Sequence, residues 1–529
     1  MKSLPNIKKS ALILLLEIVL FAPAFMSSSP SVRTTKTAEQ YWMETGLSDT
    51  ELEKLLADEN CFADQTIFLA CVNAISAMAE RYDLVLQVDG RLKPAKKNDI
   101  SQRITEKAEL GLWENFFHQP EVSLSQNGLS FLQLWHQLEQ SVVKKEERAV
   151  TIATGINGFL SIFKDPHTYL IPMKMYEEVV SNPDSKTANL GFVVRRSQDH
   201  LVVRKIFENA EAAKAGLKRG DKIFALNGDS VAELSQAQVH EALKSRSLDR
   251  LYLEVEQARG RKIIEVLRKE QVFPSVTSKV IDESRRVGLV AIHRFSKDTC
   301  ARAKEQIQIL KETSIRGLVL DLRDNPGGQV EEASCVINLF VAKNQLLFET
   351  RYLDAARPAD QYISDQDPIF NGPLAVLINS GSASAAEIVA GALKDLGRVT
   401  LVGERSFGKG SFQDGRLWGA NREVALFETS GLYYFPSGWT PQQVGLQPDI
   451  EVRTDEVIAQ REEDLFLKPI RPLDQWVGPQ TLSWINERNC EVSPEADLIS
   501  LENRNEDPQI SRAQAWLSCG QQNDRNGSL

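Results

Sequence analysis

Cysteine and histidine are scarce, with six of each in 529 residues. No C-x-x-C pair occurs. Cys61, Cys71, Cys300, Cys335, Cys490 and Cys519 do not cluster with histidines, which argues against a zinc site. No G-x-S-x-G stretch occurs either, which weakens a hydrolase built on a nucleophile elbow. A histidine base would have to be His118, His136, His167, His200, His240 or His293, and none stands in a motif that signals a triad. Surplus positive charge is missing too. The formal net charge is −10, the wrong sign for a partner made of phosphates, so no nucleic acid is expected. There is no strong internal repeat, no long low-complexity tract, and no apolar run of membrane-spanning length beyond the N-terminus. What remains is the composition of a globular protein, 42% hydrophobic and 25% charged. The length suffices for roughly three or four domains.

The N-terminus stands apart. Lys2, Lys8 and Lys9 precede ALILLLEIVLFAPAF, residues 11–25, which Glu17 interrupts and Ala22-Pro23-Ala24 closes. A basic start, a short apolar core and small residues read as a secretory signal over residues 1–26, with an uncleaved, outward-facing anchor as the alternative. The expected location is the bacterial periplasm. Export permits disulfides, and Cys61–Cys71 and Cys490–Cys519 are the local pairings.

Residues 36–181 read mostly helical, with apolar residues at three- and four-residue intervals in DTELEKLLADEN and in LSFLQLWHQLEQSVVKKEERAVTIATGINGFLSIF. NPDSKTAN, residues 182–189, is a polar break. Short β-rich runs and turns then alternate over residues 188–272. AGLKRGDKIFALNG sets glycines around one strand, a helix candidate SQAQVHEALKS comes next, and RLYLEVEQ is a further strand. This order resembles a PDZ domain, in which Leu190, Gly191 and Phe192 would form the loop that holds a peptide's terminal carboxylate. From residue 273 to about 460 strands and helices alternate: RVGLVAIHRF, CARAKEQIQILKET, GLVLDLRDNPGG, EEASCVINLFVAK, PLAVLINS. Strand–helix–strand units predict a parallel sheet, with sites at the carboxyl ends of its strands. DNPGG and NSGSAS both lie at such ends.

Ser384-Ala385-Ala386-Glu387 fits a capping box that opens a helix. A strand turning through Gly and Ser into a helix N-terminus also places a hydroxyl beside free N–H groups, as oxyanion chemistry requires. Downstream, GERSFGKGSFQDG places Lys409 in a glycine-rich turn. Gly403, Gly408 and Lys409 nearly fit a nucleotide-binding loop. Gly410 stands where Ser or Thr should hold magnesium, and no helix comes after it, so that reading fails its own contextual test. A buried, neutral lysine can instead serve a serine as base. Gln413 falls on the same strand face as Lys409 and its amide oxygen could orient the amine.

Together GSASAAEIVAGALKDLGR and GERSFGKGSFQ resemble the C-terminal processing peptidases, also called tail-specific proteases. The likeness runs in order through GINGFLSIFKDPHTYLIP, the PDZ stretch, GLVLDLRDNPGG and FPSGWTPQQVGLQPDIEV, over residues 155–452. The family separates its serine and lysine by 25 residues; here 409 − 384 = 25, which selects Ser384 over Ser380 and Ser382. The resemblance implies an α/β multi-domain protein, with a crotonase-like α/β protease core, an inserted PDZ domain and a helical N-terminal region. It implies Ser384, Lys409 and Gln413 as the catalytic set. Gly328 and Ala385 would form the oxyanion hole, with Gly327 as the fallback. The implied activity is an exported serine endopeptidase that selects proteins or peptides by their C-terminal tails, without metal or organic cofactor. An inactive, protease-like protein that binds through its PDZ groove is the alternative. An adaptor or activator protein and a homo-oligomer stay open as partners. Ala386 stands where many members have another serine. Residues 461–529 match no family segment, and their two cysteines make a stapled lobe one reading.

Overall fold

The computed structural model describes residues 38–87, 90–95, 130–162, 167–180, 190–234, 238–239, 242–243, 249–257, 260–269, 272–284, 286–419, 422–453, 461–462, 470 and 507–526. The stretch 1–26 expected to be a signal, the polar break 182–189 and the expected Cys490–Cys519 pairing lie outside the described residues.

The N-terminal part is built on α1 (Gln65–Glu80), α2 (Phe131–Ser141) and α3 (Arg148–Leu160). The Asp64 side chain accepts from Thr66 N–H and Ile67 N–H and so starts α1, which then buries Phe68, Cys71, Ile75 and Met78 on one stripe. A disulfide joins Cys61 to Cys71. Parts of this mostly helical region are extended, and a short hairpin pairs Leu84–Leu86 with Leu92–Pro94. β1 (Tyr169–Pro172) is buried at every position and pairs antiparallel with a strand more than two hundred residues away.

The PDZ stretch forms β2 (Phe192–Arg196), β3 (Leu201–Ile206), β4 (Lys222–Leu226), β5 (Arg250–Gln257) and β6 (Gly260–Leu267). They lie in the order β2-β3-β4-β5-β6 around their own apolar core of Val203, Ile223, Leu253 and Val255.

The next segment makes β7 (Val276–Asp282), β8 (Val287–Ile292), α4 (Thr299–Glu312), β9 (Gly317–Asp321) and α5 (Val330–Asn338). After them come β10 (Leu346–Tyr352), β11 (Asp360–Ile363), β12 (Leu374–Ile378), α6 (Ala385–Asp395) and β13 (Thr400–Gly403). β14 (Ser411–Trp418), β15 (Val424–Tyr434), β16 (Ile450–Glu451) and α7 (Pro508–Asn526) complete the set. The central sheet runs β7-β8-β9-β12-β13-β16 and is parallel apart from its β7 edge. β8 and β12 are buried along their whole length because both faces of the sheet are covered, which is why they read as unbroken apolar runs. On one face Val290, Leu320 and Val376 pack under α4, α5 and α6; a Cys300–Cys335 disulfide ties α4 to α5. On the other, Leu289, Val319 and Leu377 pack under Ala513 and Leu517 of α7. A second, antiparallel sheet, β11-β10-β15-β14, carries β1 on β15. The sequence-predicted strands and helices of this part are present.

Candidate active site

β9 and β12 pair in parallel, Asp321 beside Leu377, so the loops that leave their carboxyl ends run side by side. Side-chain amides stitch them together. Asn379 Oδ1 accepts from Asp324 N–H at 2.9 Å and from Gly381 N–H at 3.0 Å. Ala383 N–H donates to Asn325 O at 3.0 Å, and Asn325 Nδ2 anchors the pair to Ile292 O at 2.8 Å. DNPGG and NSGSAS are thus one rigid platform.

This platform distinguishes the serines. Ser382 Oγ donates to Leu322 O at 2.8 Å and accepts from Asn379 N–H at 3.0 Å, so it is structural. Ser384 is fully buried, yet its Oγ makes no hydrogen bond of normal geometry. Its backbone stands at φ 54°, ψ −117°, a conformation that non-glycine residues adopt at an energetic penalty and that gathers at functional sites. Ser384 caps α6, and the capping box is lopsided. Ser384 N–H donates to Glu387 Oε2 at 2.9 Å, whereas the hydroxyl faces the Glu387 N–H in the capping-box arrangement without reaching normal hydrogen-bond geometry. A neutral hydroxyl buried without a partner costs about 1–3 kcal/mol.

Lys409 arrives from the turn between β13 and β14 and is 1% exposed. Nζ donates to Gln413 Oε1 and to Ser411 O, each at 3.0 Å. Gln413 Nε2 donates in turn to Thr429 Oγ1 at 3.1 Å, which fixes the amide orientation. Ser384 Oγ is not hydrogen-bonded to Nζ in this geometry. Catalytic contacts are often long before substrate binds.

Glu387 joins the two elements. It is fully buried and accepts four donors: Ser384 N–H and Lys409 N–H at 2.9 Å each, Gly408 N–H at 2.8 Å and Ser406 Oγ–H at 2.5 Å. Burial pushes its carboxyl up to about 7, against the four donors that favour the charged form. Tyr433 adds a second tie, donating its hydroxyl to Lys409 O at 2.9 Å; burial pushes the phenol well above its ordinary value and keeps it a donor.

The two glycines of the DNPGG turn, Gly327 and Gly328, have different surroundings. A methyl at Gly327 would lie 2.9 Å from Ser384 Cβ and 3.0 Å from Ala385 N, so the DNPGG turn abuts the start of α6. Gly327 N–H is taken by Asn325 Oδ1 at 2.9 Å, and Gly327 O accepts from Phe295 N–H. Gly328 sits opposite Phe295 in an isolated parallel bridge whose bonds use its neighbours, so its own N–H points the other way. Neither Gly328 N–H nor Ala385 N–H enters a hydrogen bond among the described residues. Of the two glycines, Gly328 is therefore the one with a donor to spare.

The PDZ sheet leans on the same platform. Arg195 of β2 lies against Gly381, where a methyl would sit 2.9 Å from its Nη2, and Arg204 pairs with Glu404 at 3.7 Å. Leu190, Gly191 and Phe192 are buried, and a methyl at Gly191 (φ 77°) would meet Ala210 and Phe273.

Several contributors carry no local sequence signal. Glu387 is legible as a cap but not as a bridge to Lys409. His167 Nε2 lies 3.2 Å from both oxygens of buried Glu462. Gln442 links that pair to Gly410 N–H, beside Lys409. Among the described residues no cluster of metal-ligating side chains occurs and no helix is long and apolar enough to cross a membrane.

Comparison with known proteins adds to this geometry. Residues 286–452 match peptidase family S41 and residues 178–256 match the PDZ domain. The carboxy-terminal processing protease CtpB of Bacillus subtilis is 28% identical over 327 residues, 61% of this chain and 67% of that protein. The chloroplastic carboxyl-terminal-processing peptidase 3 of Arabidopsis thaliana is 28% identical over 334 residues, 60% of this chain and 64% of its own. The chain therefore spans about two thirds of the curated relatives it matches. Among solved structures, the photosystem II D1 C-terminal processing protease aligns with a TM-score of 0.43 at 25% identity, covering 63% of this chain and 89% of that one.

Proposed function

We propose, for a chain that belongs to the C-terminal processing peptidases of family S41 and carries a PDZ domain, an exported serine endopeptidase with Ser384 as nucleophile and Lys409 as base. The observation that carries the reading is the Ser384 hydroxyl. It is buried, unpartnered and strained at a helix N-terminus, on a loop tied through one carboxylate to a buried lysine.

In this mechanism neutral Lys409 Nζ takes the proton of Ser384 Oγ–H as Oγ bonds to the scissile carbonyl carbon. The carbonyl oxygen becomes an oxyanion, held by the N–H groups of Gly328 and Ala385. Collapse breaks the C–N bond, and the Lys409 ammonium gives its proton to the leaving amine. Water then attacks the acyl-enzyme ester, again losing a proton to Lys409, and the proton returns to Ser384 as the acid product leaves. Gln413 Oε1 orients the Lys409 amine throughout. Each oxyanion donor contributes about 3–4 kcal/mol to the transition state.

The substrates are proteins or peptides, whose C-terminal tails add as a strand beside β2 with the carboxylate at residues 190–192. We read the central sheet with its helices as crotonase-like, and keep the division into residues 36–181, 188–272, 273–460 and 461–529. Export to the periplasm rests on residues 1–26, and N-terminal sequencing of the protein recovered from fractionated cells tests it.

The deciding experiment is cleavage of an unfolded model protein by the purified full chain beside Ser384→Ala and Lys409→Ala. Cleavage by wild type alone supports the dyad. Equal cleavage by all three removes it. No cleavage by any, with a serine-reactive probe that also leaves Ser384 unlabelled, favours a binding protein that works through its PDZ groove.

A further inference from the structure

The matched peptidase segment ends at residue 452, and the mechanism above uses nothing beyond it. Yet Asp507, the residue before α7, lies in a charge cluster at the base of the oxyanion loop. Arg323 stands two residues past β9 and immediately before the turn 324–328. Its buried guanidinium is gripped from two sides. Asp321 takes Nε at 2.8 Å and Nη2 at 2.6 Å. The C-terminal segment takes Nη1, through Asp507 Oδ2 at 2.8 Å, Asp507 Oδ1 at 3.0 Å and Gln509 Oε1 at 2.9 Å. Asp507 also pairs with Arg219 of the PDZ domain and accepts from Gln509 N–H at the start of α7. Gln509 Nε2 donates to Val452 O at 2.8 Å and so ties this segment to the end of the matched core.

Asp321 and Asp507 carry most of the compensation for the two guanidinium groups, and Asp324 adds a smaller pull on Arg219. Burial pushes the Asp507 carboxyl up, but Arg323 and Arg219 outweigh it and hold it below its ordinary value. Without Asp507, Arg219 and Arg323 would repel each other with only Asp321 and the smaller pull of Asp324 to offset them, and an incompletely paired buried charge is strongly unfavourable. Movement is the relief open to them. The Arg219 side chain is 32% exposed and that of Arg323 5%, so the PDZ domain would move first and the loop with Arg323 would follow.

We propose that Asp507 is a positioning residue, which holds the Gly327-Gly328 loop through Arg323 and the PDZ domain beside it through Arg219. The C-terminal extension is then part of the catalytic apparatus. This inference rests on the reading of Ser384, Lys409 and Gly328 given above.

The test uses the full chain. Asp507→Asn keeps the shape and removes the charge. The readout is kcat per active site, titrated with a fluorophosphonate that labels Ser384. It is expected to fall about 10- to 100-fold, since a small misplacement of a catalytic group has an effect of that size. KM for a short peptide with a blocked C-terminus stays within about threefold. Asp507→Glu, with the charge kept, recovers part of the loss. A merely structural role would lower the melting temperature or the titratable fraction and leave kcat per labelled site unchanged, which overturns the inference. Should Asp507→Asn yield no folded protein, Asp507→Glu and Arg219→Ala carry the test. Arg219→Ala is expected to speed amide exchange in β2 and β3 while kcat on the blocked peptide holds; unchanged exchange there removes the PDZ clamp. Ser384→Ala separates the two failures. If it cleaves as wild type does, the nucleophile reading falls. If it is silent while Asp507→Asn turns over normally, only the inference about Asp507 falls.

Discussion

The backbone N–H of Lys409 donates to Glu387 Oε2 at 2.9 Å, and the same oxygen accepts from Ser384 N–H at 2.9 Å. A single carboxylate therefore sets the spacing between the two residues read as nucleophile and base. The other oxygen takes Ser406 Oγ–H and Gly408 N–H, so every acceptor position is filled. Ser406 Oγ is itself occupied, accepting from Leu446 N–H at 2.6 Å.

Glu387→Gln is expected to slow turnover strongly without changing substrate binding. In either orientation its NH₂ group faces two donors, of which at least one is a backbone N–H that cannot accept. We expect kcat to fall about 100-fold through displacement of Ser384 or Lys409. KM should stay within about threefold, because the residue touches no substrate. Steady-state kinetics on folded protein checks this; a wild-type kcat contradicts it.

Stability and turnover should respond to pH in opposite directions. The Glu387 carboxyl is raised by burial from 4.5 to about 7. Between those values the folded protein holds a proton that the unfolded chain has released, so stability falls as the pH rises across that window. The hydrogen-bond pattern needs the carboxylate, so turnover should instead rise through about pH 7. Buried Tyr433 on β15 and Lys409 share the surroundings of Glu387. Melting curves of wild type and Glu387→Gln from pH 4.5 to 8 isolate its contribution. A wild-type melting temperature that rises with pH relative to the variant would contradict the assignment.

At Gln413 shape and charge can be separated. The amide oxygen lies 3.0 Å from Lys409 Nζ. Gln413→Glu puts a carboxylate there, which favours the ammonium and withholds the base. Its activity optimum should move to higher pH by about one unit or more, with an about tenfold loss at neutral pH. Gln413→Ala should lose activity about tenfold with little movement of the optimum. pH–rate profiles of the two variants distinguish these outcomes, and identical profiles would remove Gln413 from the site.

Two glycine substitutions should part stability from catalysis. At Gly328 (φ 140°) a methyl would lie 2.0 Å from Phe295 O, a backbone atom that cannot rotate away. Gly328→Ala should abolish measurable turnover by shifting the turn. On α6, a methyl at Gly391 would lie 2.0 Å from the Phe435 ring. Gly391→Ala should destabilise the protein by about 1–3 kcal/mol through overpacking, while each correctly folded molecule keeps its kcat. Chemical denaturation and active-site titration read the two effects separately.

Local pattern in the sequence determined the elements of this protein. RVGLVAIHRF, GLVLDLRDNPGG and PLAVLINS are apolar without alternation because both faces of a parallel sheet are buried, and Ser384-x-x-Glu387 announces the start of α6. These signals act within a turn or a strand, so they survive in a linear string. The choice of Ser384 and Lys409 as a pair came from their spacing in a resemblance, and no local rule contains it. Tertiary structure decided the rest, because hydrogen bonds between distant residues leave no periodicity behind. It consumed the hydroxyl of Ser382 and spared that of Ser384. It occupied Gly327 N–H and turned Gly328 N–H away from Phe295. It drew four residues of a helical region, β1, into a sheet with β15. Finally it laid α7, from a stretch without recognisable motif, across one face of the central sheet, where burial of Ala513 and Leu517 against Val319 and Leu377 excludes water.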